Sequence, residues 1–167
     1  MLDMSRSYDM NLDQLYPYGF RPTLFDRLAS EYENTCNGLS IQQLRESVAH
    51  DLEDLLNSRV AAFNQDIQDY SCVKNSILQF GIIDFVGLST ANPLDRDKIC
   101  QAIEQAITAY EPRLRHIKVG MLLDHHNMGG LCLSIQAYLN IYPIYEPVIF
   151  DALLKPTTQQ YLISTKT

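Results

Sequence analysis

The spacing of apolar residues changes once along this chain, and the change divides it into a helical part and a strand part. Ile41, Leu44, Val48, Leu52, Leu55 and Leu56 follow at steps of three and four, which places them on one face of a helix. Ser40 and Gln43 have the spacing of a capping box at its start. A second helix is predicted from Asn92-Pro93, with Asn92 as N-cap, Pro93 in the first turn, and Asp95 and Asp97 at the positively polarised end. Its apolar stripe is Ile99, Ala102, Ile103, Ala106, Ile107 and Tyr110. Pro112 donates no N–H and disfavours helical geometry in Glu111, so this helix has to stop there.

Beyond Pro112 the period falls to two. Ile117, Val119, Met121 and Leu123 alternate with His116, Lys118 and Gly120, and Leu131, Leu133, Ile135, Ala137 and Leu139 alternate with Cys132, Ser134, Gln136 and Tyr138. The two runs predict an antiparallel hairpin joined through Asp124 to Gly130. A third run, Val148 to Leu154, follows Pro147, and a short one spans Tyr161 to Ile163. The fold class expected is α+β, with N-terminal helices packed on a small C-terminal, mainly antiparallel sheet.

Elsewhere the pattern is weaker. Residues 1–22 show no period but contain Tyr16-Pro17-Tyr18-Gly19-Phe20, and read as an arm that docks on a partner or on the chain's own core. A short helix is predicted from Thr23 with Leu24, Phe25 and Leu28 on one face, and another from Ser71 through Ile77 and Leu78 to a stop at Gly81. The organisation expected is an arm, 1–22, and a single domain, 23–167.

Composition narrows the function. With 46% hydrophobic and 20% charged residues the chain is an ordinary globular one, and a formal net charge of −7 argues against nucleic acid as a partner. Cys36, Cys72, Cys100 and Cys132 are singly spaced, which suits free thiols in a reducing compartment better than a zinc or redox motif. No basic start precedes an apolar core at the N-terminus and no apolar run reaches about 18 residues, so a cytoplasmic protein is expected.

Chemistry concentrates at the seam between the two parts. In an extended segment residues 111 and 113 point the same way, so Glu111 and Arg113 are placed to pair. Read locally this is a surface ion pair closing a helix end, stabilising by about 0–1 kcal/mol. A glycosidase would need Glu111 and a second acid such as Asp84, Asp124 or Asp151 across a cleft. An adjacent guanidinium favours the ionised carboxylate, however, whereas a general acid must hold its proton. His125 and His126 beside Asp124 suggest a metal only superficially, since neighbours in an extended loop point apart. The charged face of the first helix, with Arg45, Glu46, Asp51, Glu53 and Asp54, needs only solvent to explain it. The strand at 131–139 lacks charged protection and is expected to offer an edge for strand addition.

Four stretches in order resemble one family. Leu24-Phe25-Asp26-Arg27-Leu28, Asp51-Leu52-Glu53-Asp54-Leu55-Leu56-Asn57-Ser58-Arg59, Ser76-Ile77-Leu78-Gln79-Phe80-Gly81 and Glu111-Pro112-Arg113-Leu114 look like the TssE subunit of the bacterial type VI secretion baseplate. That family is similar to the small wedge protein of contractile phage baseplates, once described as lysozyme-like. The resemblance spans about residues 22 to 164. It implies a structural, non-catalytic component that links the baseplate wedge to the sheath and helps initiate sheath polymerisation, with Glu111, Pro112, Arg113 and Leu114 as the sheath-binding site. The partners implied are sheath subunits of the TssB/TssC type and wedge subunits of the TssF and TssG type, in a membrane-docked cytoplasmic assembly without membrane insertion. No cofactor, metal or catalytic residue is implied. A wedge protein of a phage-type particle and a peptidoglycan-cleaving glycosidase are the alternatives. Phe80-Gly81-Ile82-Ile83-Asp84 departs from the Tyr-Gly-Leu-Pro-Asp usual in the family, so the proline that fixes a turn there is missing.

Overall fold

The computed structural model describes residues 19–21, 23, 24, 28, 38–60, 76–85, 87–89, 91–122, 131–141, 144–155, 158 and 160–166. Most of the aromatic arm, Phe25, Ser71, the segment Asp124–Gly130 with His125 and His126, and Cys36 and Cys72 lie outside them. The chain forms two compact units, 1–46 and 47–167.

In the first unit Phe20 and Leu39 exchange backbone hydrogen bonds of 2.8 and 2.7 Å, and Leu39 and Leu44 are buried. Leu24 and Leu28 are helical as expected but exposed, so they do not form the core face that their spacing predicts. Helix α1 (Ile41–Asn57) begins here and continues into the second unit. Its capping box is formed: the Ser40 N–H donates to Gln43 Oε1 at 2.8 Å and the Gln43 N–H donates to Ser40 Oγ at 3.2 Å.

The second unit holds the rest of α1, a single 3-10 turn at Ile77–Gln79, helix α2 (Pro93–Tyr110) and four strands, β1 (Leu114–Leu122), β2 (Leu131–Ile141), β3 (Ile144–Lys155) and β4 (Gln160–Lys166). The strands form one antiparallel sheet in sequence order. Val48, Leu52, Leu55 and Leu56 of α1, Ile99, Ile103 and Ile107 of α2, and Leu133, Ile135, Phe150 and Ala152 of the sheet are among its buried apolar residues, each large one worth about 1.5–3 kcal/mol. The α2 start is as read from sequence: Asn92 Oδ1 accepts from the Leu94 N–H at 3.1 Å, with Pro93 in the first turn.

Three further expectations change in the sheet. The strand at 131–139 is not an edge, because β2 lies between β1 and β3; the meander puts β1 and β4 outside. The alternation in β1 is interrupted, since Arg115 faces Tyr138 while Lys118 faces Gln136, leaving His116 and Ile117 together opposite Ala137. This is a β-bulge, and His116 takes a left-handed φ of 53° in it. The inserted residue explains why Leu114 and Val119, five apart, are both buried. Finally, β3 runs through Pro147 instead of starting after it. Pro147 pairs with Tyr138 in a part of β3 beyond Ile149, where the pairing with β4 ends, so its missing N–H costs no ladder bond on that side.

Candidate functional site

The helix-to-strand seam is built from the last residues of α2. The Glu111 N–H donates to Ile107 O at 2.8 Å, closing the final turn, and the Glu111 carbonyl accepts from the Leu114 N–H at 3.2 Å, which turns the chain into β1. Glu111 is buried, Pro112 is exposed at the tip of the turn, and Arg113 and Leu114 lie half-buried and buried.

The expected pairing of 111 with 113 is present and closer than a surface ion pair. Glu111 Oε1 accepts from Arg113 Nε at 2.7 Å and from the Arg113 backbone N–H at 3.1 Å, while Oε2 accepts from Nη2 at 2.5 Å. The same Nη2 donates to Asp51 Oδ2 on α1. Burial alone pulls the Arg113 guanidinium pKa down, but Glu111 and then Asp51, through hydrogen bonds and charge, outweigh it and hold the pKa above its ordinary value. The side chains of Glu111, Arg113 and Asp51 are 5%, 26% and 46% exposed, so the link to Glu111 is a buried one. The surface estimate of about 0–1 kcal/mol is corrected accordingly, because breaking a buried pair by removing one partner costs about 3–5 kcal/mol.

Three of the stretches singled out in sequence converge here. From the Asp51–Arg59 stretch, Asp51 holds Arg113, and Ser58 and Arg59 frame a short parallel bridge in which the Ile82 N–H donates to Ser58 O at 3.0 Å and the Val60 N–H to Ile82 O at 3.1 Å. From the Ser76–Gly81 stretch, Phe80 meets the ring of Tyr110 edge-on at 5.3 Å, and Ser76 O accepts from the Tyr110 hydroxyl at 3.0 Å. Tyr110 directly precedes Glu111. Gly81, at φ 116°, lies so close to Ser58 that a Cβ would come within 2.7 Å of its backbone.

Two acids of the charged face of α1, Asp51 and Glu53, have structural partners and not solvent alone, and so does Asn57 at the end of the helix. Asp51 holds Arg113; Glu53 Oε2 accepts from the Ile163 N–H at 3.1 Å; Asn57 pairs with both backbone groups of Tyr161, at 2.7 and 3.0 Å. At the opposite edge of the sheet Glu104 of α2 accepts from the Val119 N–H at 2.8 Å. Side chains from the two helices therefore occupy backbone groups on both outer strands. Sequence reasoning missed Asp51, Glu53, Asn57 and Glu104 in these roles. The available signal was the Asp51–Arg59 stretch itself, which contains three of them. Of the second acids considered for glycoside cleavage, Asp84 is exposed and Asp151 lies on the sheet face away from the helices; the acid that shares Arg113 with Glu111 is Asp51.

Charged and amide side chains of two helices thus tie the seam motif and both outer strands of a four-strand antiparallel meander into one α+β arrangement. Residues 42–143 match the model of the family described as Baseplate wedge protein gp25. The chain belongs to that family and is a structural component of a baseplate. The match runs from α1 to just past β2 and contains the whole Asp51–Glu111–Arg113 network. Among solved structures, a chain from "The baseplate complex from the type VI secretion system" is similar, with a TM-score of 0.47 at 12% identity, covering 68% of this chain and 96% of that one. No curated protein matches the chain. No helix among the described residues is long and apolar enough to cross a membrane.

Proposed function

We propose that this baseplate component is the TssE-type subunit of a type VI secretion apparatus, joining the wedge to the sheath from a cytoplasmic, membrane-docked assembly. The ordered resemblance of its four stretches to that subunit supports the secretion assignment. One observation carries the site: Glu111 is buried with both carboxylate oxygens on Arg113, which leaves Pro112 as the exposed point of a turn held rigidly between α2 and β1. Glu111-Pro112-Arg113-Leu114 is then a preorganised contact for a sheath subunit of the TssB/TssC type, and wedge subunits of the TssF and TssG type take other surfaces. The role is non-catalytic. A carboxylate engaged by one guanidinium through both oxygens is poorly placed to deliver a proton to a sugar, and clearing of a purified cell-wall suspension by the protein would contradict this.

Strand addition takes place at β1. Among the described residues, three helix side-chain hydrogen bonds occupy β4, from Asn57 and Glu53, whereas one, from Glu104, occupies β1. The motif leads directly into β1, so a partner that engages Pro112 is already beside that edge. Reversing Arg113 to Glu would test folding as much as docking, because it would place a second acid against buried Glu111. Pro112→Glu separates the two. Sheath assembly in cells carrying Pro112→Glu is expected to fall while the purified variant keeps the melting temperature of the parent; normal sheath assembly would remove the role assigned to the motif.

A further inference from the structure

The face of the sheet turned away from the helices is unusual in composition. Antiparallel sheets with one solvated face normally alternate apolar side chains inward with polar ones outward, yet Tyr138, Tyr145, Ile149, Leu153 and Leu162 all project outward here, 36–58% exposed. Single exposed apolar side chains are ordinary, but several sharing one sheet face are not. The same face carries four basic residues, Arg115, Lys118, Lys155 and Lys166. Among the described strand residues its single acid is Asp151, whose Oδ2 lies 3.4 Å from Lys166 Nζ. Four bases against one acid leave a local excess of three positive charges on a chain whose net charge is −7. Helix α1 is the opposite, with Glu46, Asp51, Glu53 and Asp54 against Arg45.

The register arranges these groups in rows. One row reads Lys118, Gln136, Ile149, Lys166 across the four strands, and the next reads Arg115, Tyr138, Pro147. The end lysines of the first row are three strand spacings apart, about 14 Å at about 4.8 Å each. A helix with its side chains is about 10–12 Å across. A helix lying along β2 and β3 would therefore seat its underside on Tyr138, Pro147 and Ile149, with its flanks level with Arg115 and Lys118 on one side and Lys166 on the other.

We propose that this face docks an amphipathic helix of a partner protein whose apolar stripe is bordered by Asp and Glu, completing a helix–sheet–helix layering over the open side of the sheet. The apolar centre between the basic flanks is what favours such a helix over a phosphate backbone or a lipid headgroup. The inference does not depend on the role of Glu111–Leu114, which is a different surface.

The probe is a synthetic helical peptide of about five turns with a leucine stripe and glutamate flanks, titrated into the intact chain while the methyl resonances of Ile149, Leu153 and Leu162 are followed by NMR. Binding is expected to shift these methyls, to weaken with salt, and to fall by about tenfold or more in Lys118→Glu/Lys166→Glu but not in Lys98→Glu on α2. No binding, equal binding of the lysine-flanked peptide, or insensitivity to the double reversal would overturn it. So would tighter binding to phosphatidylglycerol vesicles or duplex DNA. Self-association in sedimentation that the double reversal abolishes would assign the face to a second copy instead.

Discussion

The side-chain amide of Asn57 pairs with the backbone of Tyr161 as a neighbouring strand residue would: Nδ2 donates to the Tyr161 carbonyl at 3.0 Å and Oδ1 accepts from the Tyr161 N–H at 2.7 Å. Tyr161 is itself buried, so water is poorly placed to replace either bond. Asn57→Ala leaves a buried donor and a buried acceptor unmet, at about 1–3 kcal/mol for each such group. The urea midpoint is expected to fall accordingly with little change in slope, and an unchanged midpoint would show that the pair contributes nothing.

The bond from Glu104 to β1 makes a kinetic prediction. Glu104 Oε1 accepts from the Val119 N–H on the outer side of β1, and Glu104→Ala removes that acceptor without touching the β1–β2 ladder. The Val119 amide is expected to exchange with solvent faster in the variant, while amides bonded between β2 and β3 keep their protection. If Val119 exchange is unaltered, the β1 edge is covered by something other than Glu104.

Most of the architecture was legible in the sequence because it rests on periodicity, and periodicity survives folding. The Ser40–Gln43 box, the Asn92-Pro93 start, the Pro112 stop and the change to period two all have local causes that act within a few residues. What was not legible has non-local causes. Which strand is an edge depends on the order of pairing, and the period of β2 looks the same in the middle of a sheet as outside it. The bulge at His116 showed only as Leu114 falling out of phase. Asp51, 62 residues from Arg113, looked like any solvated acid on a charged helix face. The pairing of Glu111 with Arg113 was readable because it is local; its burial was not, because α1 supplies the third member.

Gly81 gives a backbone prediction. Its φ of 116° and the approach of Ser58 leave no room for a Cβ, and the obstructing atoms are main-chain ones that cannot rotate aside. Gly81→Ala is expected to cost about 1–3 kcal/mol and to disturb the Arg59–Ile82 bridge next to it. Denaturation monitored by circular dichroism measures the first effect, and the amide shifts of Val60 and Ile82 report the second. A variant as stable as the parent would mean that the turn relaxes freely.

His50 gives a pH prediction whose sign is fixed. Its pKa is raised above the ordinary value of 6.5, first by a hydrogen bond from the ring to the residue's own backbone carbonyl and then by Asp54 one turn on, with Asp51 and Glu53 adding to this and slight burial opposing it. A raised folded-state pKa means that the contribution to stability is complete below the ordinary value and is lost as pH rises through the folded one. The ring is largely exposed, so the effect on stability is small, but the titration is directly visible. His50 is expected to titrate above 6.5 by NMR, and Asp54→Asn is expected to lower its midpoint only in part, since Asp54 is not the largest cause. A midpoint at or below the ordinary value would contradict the assignment.

The buried seam motif makes the sharpest prediction, because it distinguishes a network that merely satisfies itself from one that holds α2, β1 and α1 together. Arg113→Met removes the cation and leaves the Glu111 carboxylate buried with its principal partner gone, at about 3–5 kcal/mol. Glu111→Leu/Arg113→Met removes both charges and keeps apolar volume, so it is expected to be less destabilised than Arg113→Met alone even though it carries one more substitution. The coupling in the double-mutant cycle should fall at about 1–3 kcal/mol in the direction of mutual dependence. Asp51→Asn, which alters only the half-exposed arm of the network, should cost about 1 kcal/mol or less. Additive costs for Glu111 and Arg113 would place the two side chains side by side without energetic connection. A large cost for Asp51→Asn would instead make α1, and not the turn itself, the element that fixes how Pro112 is presented.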